Sequence, residues 1–416
     1  MRSQGSNSRL IRIHNRALVL KIIQRRAPVS RKEIAELTGL SQAAITKITD
    51  DLIGRELVVE DRDSLVSPGY GRKPIGLYIN KAKYRLISMY VGRSRIQAAI
   101  CDLSGSILHK IQENRASFAD FGPGLPGEVI QILTRLMEQN GGDRSNFLGI
   151  AISAPGPINA KDGILHNAVA TPARTMEAPF DWRSVNLSKE VGKHFGLPVF
   201  TDNEANVAAL GEGWFGAGAG IDNFVLYSVG IGIGSGVMID GLLYRGEDDV
   251  VSEIGHITID YNGPVCVCGN VGCLESYAGF GRLVELYRTR SGSAGLVPVD
   301  NALLVKEIED VFSRAATGDA CAMDAVGEIG RFLGIGAVSL ANIFNPECII
   351  IGGNDAGDAD LGLLVPNIQR AVQKGAFSII ANKVRILVSS LGSDARIYGG
   401  VALLLQEFFA QATIDA

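Results

Sequence analysis

The hydrophobic and polar positions of the first 80 residues follow helical spacing three times in succession. Apolar residues at this spacing predict a first helix over residues 15–26. Ser30 and Glu33 have the spacing of a capping box, which predicts a second helix directly after Ser30. Gly39 then allows a tight turn, and Ser41 is placed to cap a third helix. This order of elements predicts a helix-turn-helix.

The outer face of the third helix and the segment after it carry the residues expected to meet DNA. Short apolar runs at 57–60 and 77–79 predict two strands, and the basic segment 64–74 between them predicts a wing. We expect the helix to enter the major groove and the wing to contact the minor groove and phosphate. The alternative is a helical module that binds protein. The candidate DNA-binding residues are Gln42, Ala43, Thr46, Lys47, Arg72 and Lys73.

From about residue 83 the pattern changes to alternating strands and helices. Strands are predicted at 85–91, 96–102, 147–153, 199–201, 224–229, 236–239, 348–351 and 385–389. Helices are predicted at 128–139, at 187–195, after the strand at 199–201 through Ala209, and from about Gly400 to Ala410, and residues 337–343 are predicted to end a further helix. This alternation predicts an α/β body with two sheets, arranged as two lobes around a cleft.

Composition and charge narrow the classes of function. The 416 residues are 46% hydrophobic and 20% charged, which excludes a disordered chain. No apolar run approaches the roughly 18 residues of a membrane span, and no secretory signal is visible, so we expect a cytoplasmic protein with no membrane partner. Residues 1–80 carry a charge balance of +6 and the remainder −10, which suggests a polyanion partner at the N-terminal end. A solvated charged surface is the alternative.

Four candidate metal ligands lie close together in the sequence. His256 is followed by Cys266, Cys268 and Cys273. One imidazole and three thiolates match a closed tetrahedral site, so we expect one structural Zn²⁺ per chain, which shapes a loop rather than performs chemistry. Buried free thiols or a redox pair are the alternatives.

Three motifs together resemble the ROK family of transcriptional repressors and sugar kinases. They are SAPGPI at 153–158, DNEAN at 202–206, and the Gly-His pair at 255–256 with CVCGNVGCLE after it. The resemblance covers about residues 83–410, and the N-terminal module is similar to that of the family's repressor branch, such as the xylose and N-acetylglucosamine repressors. It implies an α/β protein with an N-terminal winged helix-turn-helix and a two-lobed actin/hexokinase-like body that binds a sugar between its lobes.

The resemblance also implies a division of the chain and a set of sugar-binding residues. We expect a DNA-binding domain at 1–80, a first lobe at 83–205 completed by a helix at about 395–416, and a second lobe at 206–394 with the zinc loop. The implied sugar-binding residues are Asn203, Glu204, Glu253, His256 and Glu275. Such side chains suit a polyol, because sugar hydroxyls both donate and accept hydrogen bonds. His256 would use one ring nitrogen for zinc and the other for sugar. For Asn203, a plain helix cap is the alternative.

Three departures from the family's kinases argue against catalysis. Tyr90 and Arg93 replace an aspartate and a glycine of the first phosphate loop, Ile231 replaces a threonine of the second, and Glu204 replaces the catalytic aspartate. We therefore expect no catalytic residue, and a homo-oligomeric, sugar-responsive repressor of carbohydrate-metabolism genes that binds operator DNA. The alternatives are an ATP-dependent sugar kinase with an appended DNA-binding domain, a regulator that has lost its ligand, and an activator.

Overall fold

The protein begins with a small module of helices and a two-stranded sheet. The structure is a computed structural model that describes residues 8–62, 74–115, 124–169, 181–293 except 248, and 300–411 except 355, 356 and 358. The elements of the module are α1 (Ser8–Arg26), α2 (Arg31–Thr38), α3 (Gln42–Gly54), β1 (Val58–Asp61) and β2 (Gly76–Ile79). The first helix begins earlier than predicted, and β1 and β2 pair antiparallel.

The predicted helix-turn-helix is present, and its local chemistry explains its boundaries. The Ser30 side chain accepts a hydrogen bond from the Glu33 amide at 3.2 Å, while the Glu33 carboxylate accepts one from the Ser30 amide at 2.8 Å. This is the reciprocal capping box predicted from the spacing. Gly39 ends α2 at φ 68°, and Ser41 caps α3. Glycine adopts this left-handed conformation at little steric cost because it has no side chain. The turn from α2 to α3 can therefore be tight.

The first sheet of the body has five strands. The same part of the chain also forms a separate three-stranded sheet. Strands in this part are β3 (Arg85–Val91), β4 (Arg95–Asp102), β5 (Ile107–Asn114), β6 (Phe147–Ala154), β7 (Ile158–Asn159), β8 (Ile164–Val169), β9 (Asp181–Asn186) and β10 (Val199–Asn203). The first sheet has the order β10-β6-β3-β4-β5, with β10 and β6 parallel to β3 and the other pairs antiparallel. The separate sheet has the order β7-β8-β9. Helices α4 (Leu125–Gln139) and α5 (Leu187–Phe195) also lie in this part.

The second sheet is built from later segments of the chain. Its strands are β11 (Phe224–Gly230), β12 (Ile233–Ile239), β13 (Leu242–Leu243), β14 (Cys348–Asn354) and β15 (Arg385–Val388), in the order β13-β12-β11-β14-β15. The remaining helices are α6 (Glu204–Phe215), α7 (Leu274–Ala278), α8 (Phe280–Ser291), α9 (Asn301–Ala316), α10 (Ala320–Phe344), α11 (Val365–Gly375), α12 (Ser378–Ala381) and α13 (Ala395–Gln411).

Helices α6 and α13 pack against each other where the two sheets meet. A side chain at Gly211 of α6 would approach the Ala395 carbonyl oxygen to 2.2 Å, and one at Gly399 of α13 would approach the Val207 carbonyl oxygen to 1.7 Å. Only glycine therefore lets the two backbones come this close. Helix α13 also packs on β3 and β6, whereas α6 contacts strands of both sheets. The division of the chain into domains at 1–80, 83–205 with 395–416, and 206–394 stays a prediction.

Candidate functional site

The four predicted metal ligands converge on one point. Their ligand atoms all lie within 4.8 Å of one another. His256 Nδ1 and Cys266 Sγ are 3.6 Å apart, and so are Cys268 Sγ and Cys273 Sγ. A tetrahedral ion with Zn–S of about 2.3 Å and Zn–N of about 2.0 Å requires separations of roughly 3.5–3.8 Å between ligand atoms. The donor set and these two separations therefore fit a zinc ion.

A hydrogen-bonded loop holds these ligands in place. The Asn270 amide nitrogen donates to the His256 carbonyl oxygen at 3.3 Å and to Cys273 Sγ at 3.4 Å. Burial raises the pKa of the Cys266 thiol, but hydrogen bonds from His256, from the Cys268 backbone and from Ser276 outweigh it and lower that pKa to about 6. A thiolate, the form that binds metal, is therefore favoured at Cys266. Asn270 was missed by the sequence analysis, although its place between the cysteines is a usable signal.

Beside the cysteine cluster, three carboxylates and the imidazole come together. Burial raises the pKa of Glu253, and the nearby carboxylates of Glu275 and Glu204 raise it further, against the opposing effects of His256 and Arg93. Glu275 is held in place by the Ile233 amide, which donates to its Oε2 at 2.8 Å. Because His256 directs Nδ1 towards the cysteines, its Nε2 is the ring nitrogen left for a ligand. The structure thus groups Glu204, Glu253, His256 and Glu275.

The Asn203 side chain caps a helix and also donates a hydrogen bond to a neighbouring loop. Its Oδ1 accepts from the Ala205 amide at 2.8 Å, so it is the N-cap of α6. Its Nδ2 donates to the Gly156 carbonyl oxygen at 3.0 Å, which joins the DNEAN and SAPGPI motifs. The side chain is half-buried. Since an amide has two donors and two acceptor positions, one of each remains for a ligand.

A buried ion pair fixes the strand end that carries Asn203. The Arg245 guanidinium lies 2.7 Å from Asp202 Oδ2, and the Asp202 side chain is only 1% exposed. Asp202 Oδ1 accepts hydrogen bonds from the Asn203 amide at 2.7 Å and from Asn206 Nδ2 at 3.2 Å. Arg245 also lies 3.6 Å from Asp249. The segment leading to Glu253 is therefore tied to the end of β10.

Glu204 is paired with an arginine that the sequence analysis missed. Arg396 Nε lies 3.4 Å from Glu204 Oε2, and the two side chains are 1% and 8% exposed. The Arg396 guanidinium also lies over the Tyr90 ring, 4.5 Å from its centroid, and donates to the Gly353 carbonyl oxygen at 2.8 Å. Arg396 thus joins β3, α6 and the end of β14. The signal in the sequence is one cation at the start of an apolar helix.

Tyr90 and Arg93 lie in the loop that corresponds to the first phosphate loop of the kinases. A side chain on Gly92 would lie 2.5 Å from the fully buried Tyr90 ring, so the phenol packs directly beneath this loop. The Arg93 carbonyl oxygen accepts from Asn301 Nδ2 at 2.9 Å. The Arg93 guanidinium would be 3.2 Å from a side chain on Gly232. Gly232 lies in the loop that corresponds to the second phosphate loop of the kinases. Arg93 therefore bridges the two loops.

The candidate DNA-binding face is solvent-exposed where the structure describes it. Four of the six residues lie on α3 and are all exposed: Gln42, Ala43, Thr46 and Lys47. The other two, Arg72 and Lys73, lie outside the described residues. The inner face of α3 is buried through Ile45 and Leu52. Its orientation relative to β1 is fixed by Arg31, which bonds to Thr49 Oγ1 at 2.8 Å and to Glu60 at 2.5 Å.

One helix among the described residues, α10, is long and apolar enough to cross a membrane by length and composition alone. Its most apolar window has a mean hydropathy of 1.2, and half of that window is buried inside the protein. Core helices of globular proteins pass the same test.

These features define a class of protein: a helix-turn-helix joined to an actin/hexokinase-like body with a cysteine-histidine cluster. The model of the ROK family matches residues 86–407. The chain belongs to the ROK family. It is 30% identical to the xylose repressor of Caldicellulosiruptor bescii over 97% of this chain and 98% of that protein. It is also similar to a solved ROK family transcriptional regulator, a homologue of Escherichia coli Mlc, with a TM-score of 0.75 and 29% identity over 97% of this chain and 98% of that one.

Kinases of the family match a smaller share of the chain. The glucokinase of Halalkalibacterium halodurans is 33% identical over 77% of this chain and 95% of its own length. About a quarter of the chain therefore has no counterpart in that enzyme. The repressors, in contrast, match nearly end to end, which places the chain in the repressor branch of the family.

Proposed function

We propose that the protein is a transcriptional repressor of carbohydrate-metabolism genes whose operator affinity changes when a monosaccharide, or a derivative of one, binds the body. One observation carries the proposal. The same chain holds an exposed helix-turn-helix face and a group of carboxylates, an amide and an imidazole suited to sugar hydroxyls. It acts in the cytoplasm as a homo-oligomer, so paired half-sites and an approximately palindromic operator follow.

DNA is bound by α3 and by the wing. Gln42, Ala43, Thr46 and Lys47 lie on the exposed face of α3, where a recognition helix presents its base-reading residues. The wing carries Arg72 and Lys73 for the minor groove and phosphate. The exposed face of α3 supports this role.

The sugar is bound by Asn203, Glu204, Glu253, His256 and Glu275. Asn203 offers one amide donor and one acceptor position beyond its cap, and His256 offers Nε2. The carboxylates accept hydrogen bonds from sugar hydroxyls. Since the group contains three carboxylates against His256 and Arg93, a neutral sugar meets less repulsion than a sugar phosphate.

Zinc would be held by His256, Cys266, Cys268 and Cys273. When bound, the ion supplies structure and not chemistry, because four protein ligands leave no position for a water molecule. Coordination through Nδ1 would fix the His256 ring in one tautomer and one orientation, with Nε2 directed away from the cysteines. The fit of the ligand spacing to a tetrahedral ion supports this proposal.

The protein does not phosphorylate the sugar. In the kinases the position of Glu204 holds a catalytic base, but here its carboxylate is paired with the buried Arg396. Tyr90 occupies the position of the aspartate that organises Mg²⁺ and phosphate, and its ring fills the space under Gly92.

The test is a selection of genomic fragments by the purified zinc-loaded protein, repeated with D-xylose, D-glucose, N-acetyl-D-glucosamine and their phosphates. We expect discrete two-fold sites that one sugar removes or adds. An absence of enrichment above non-specific binding at physiological salt would contradict the proposal. Sugar-dependent ATP turnover by the same preparation would favour the kinase alternative.

A further inference from the structure

The end of α1 docks on the end of α6. Arg25 Nε donates to the Trp214 carbonyl oxygen at 3.2 Å, and Arg25 Nη2 donates to the Gly213 carbonyl oxygen. These carbonyls belong to the last turn of α6, where helix carbonyls lack intrahelical partners and carry partial negative charge. The Lys21 ammonium lies 5.9 Å from the centroid of the Trp214 ring. A guanidinium from the DNA-binding module thus caps a helix of the body.

Apolar contacts make this docking continuous with the core of the body. Val19, Leu20 and Ile23 of α1 are almost fully buried, in one cluster with Leu404 and other residues of α13. Gln24 Nε2 also donates to the Ser104 carbonyl oxygen at 3.2 Å. The module is therefore packed on the body rather than tethered to it.

The other end of α6 lies at the proposed sugar site. Asn203 caps the helix and Glu204 is its first residue, whereas Gly213 and Trp214 lie in its last turn. Twelve residues span about 18 Å along a helix axis. Because α6 is one continuous helix, packed closely along α13 at Gly211, it moves as a rigid unit. A shift of its first turn is therefore passed to its last turn.

We propose that Arg25 is the positioning residue that couples the sugar site to the DNA-binding module, through α6. This rests on the proposed function. A ligand that engages Asn203 and Glu204 differently in the two states moves the carbonyls that Arg25 holds, and with them α1 and the recognition helix. Arg25 contacts neither sugar nor DNA; it acts by fixing α1 on the end of α6.

The test compares Arg25→Ala with Arg26→Ala, a matched control at the next position of α1, where the side chain is exposed. For each variant, operator dissociation constants are measured with and without the sugar found by the selection, and the sugar dissociation constant is measured by calorimetry. We expect Arg25→Ala to keep sugar affinity within about two-fold and to lose most of the sugar-induced change in operator affinity, which is typically about 5- to 150-fold in allosteric proteins. Arg26→Ala should keep that change, and Arg25→Lys should restore part of it.

A second measurement needs no DNA. Amide hydrogen exchange of residues 19–23 is followed with and without the sugar. Sugar-dependent protection of α1 in the wild type and in Arg26→Ala, but not in Arg25→Ala, is expected even when Arg25→Ala binds the operator poorly. An unchanged sugar response in Arg25→Ala, in either assay, would overturn the coupling role of Arg25 but leave the proposed function standing. A wild-type protein that binds sugar with no change in operator affinity would overturn the proposed function as well.

Discussion

Replacing Lys21 with methionine tests the electrostatics of the contact between α1 and the body. Burial lowers the pKa of Lys21 from 10.5 to about 8, with a smaller contribution from Arg25 and partial opposition from Asp222. The ammonium is therefore less stable at this interface than in water. A difference of about 2.5 pKa units corresponds to about 3 kcal/mol at 1.36 kcal/mol for each unit.

The sign of the pH dependence follows from where the proton is held. Below about pH 8 both the folded and the unfolded chain keep the proton on Lys21, so the full cost is present. Between about pH 8 and 10.5 the unfolded chain holds a proton that the folded protein has lost. The free energy of unfolding of the wild type therefore rises with pH in this window relative to a variant without the lysine.

The assay is urea denaturation of the wild type and of Lys21→Met, followed by tryptophan fluorescence at about pH 7 and about pH 9.5. We expect Lys21→Met to be the more stable protein at the lower pH, with an advantage that falls by about 2 kcal/mol at the higher pH. Lys32→Met, at a lysine whose side chain is 75% exposed, controls for the loss of a positive charge. A stability advantage of Lys21→Met that is independent of pH, or that grows with pH, would show that burial does not lower the pKa of Lys21 at this contact.

Three further predictions concern the DNA-binding face, the proposed zinc site and the ion pair between Arg396 and Glu204. Lys47→Ala and Arg72→Ala should weaken operator binding and lower its salt dependence while sugar binding remains, as competition anisotropy at several salt concentrations would show; unchanged affinity in both would remove this assignment. Cys268→Ser, or chelation of zinc, should lower the melting temperature and abolish the sugar response; a stable, metal-free variant with a normal response would contradict the zinc proposal. Arg396→Met should reduce the free energy of unfolding by about 3–5 kcal/mol because it removes the cation 3.4 Å from the buried Glu204 carboxylate. The double variant with Glu204→Gln should recover most of that loss in urea denaturation, and an equally unstable double variant would show that the ion pair is not the cause.

Local sequence chemistry predicted the elements whose signals are local. The capping box at Ser30 and Glu33 placed α2, and the spacing of the cysteines located the cluster of candidate metal ligands. The pattern missed β5, because its residues alternate between half-buried and exposed positions and form no apolar run. The end of α6 was predicted too early, at Ala209. Its later glycines look like helix breakers in the sequence, but Gly211 is required by the close approach of α13.

Contacts between distant parts of the chain were beyond the sequence pattern. Arg396 meets Glu204 and Tyr90 only because α13 returns to the first sheet. Arg25 lies in the basic N-terminal part of the chain, yet it donates to carbonyls of α6. Neither pairing leaves a periodic signal, since both depend on how helices that are far apart in the chain pack against α6. The sequence therefore indicated the candidate site residues but not the pairs that hold them.

The most direct test of the central claim is the operator affinity of the zinc-loaded protein, measured with and without a sugar whose binding calorimetry has established. We expect the dissociation constant to change at least about five-fold between the two states. We also expect the sugar to bind a site on the body that is separate from the DNA-binding face of α3. An operator dissociation constant that stays the same when the sugar is bound would contradict the central claim, because a ligand without differential affinity for the two states shifts nothing.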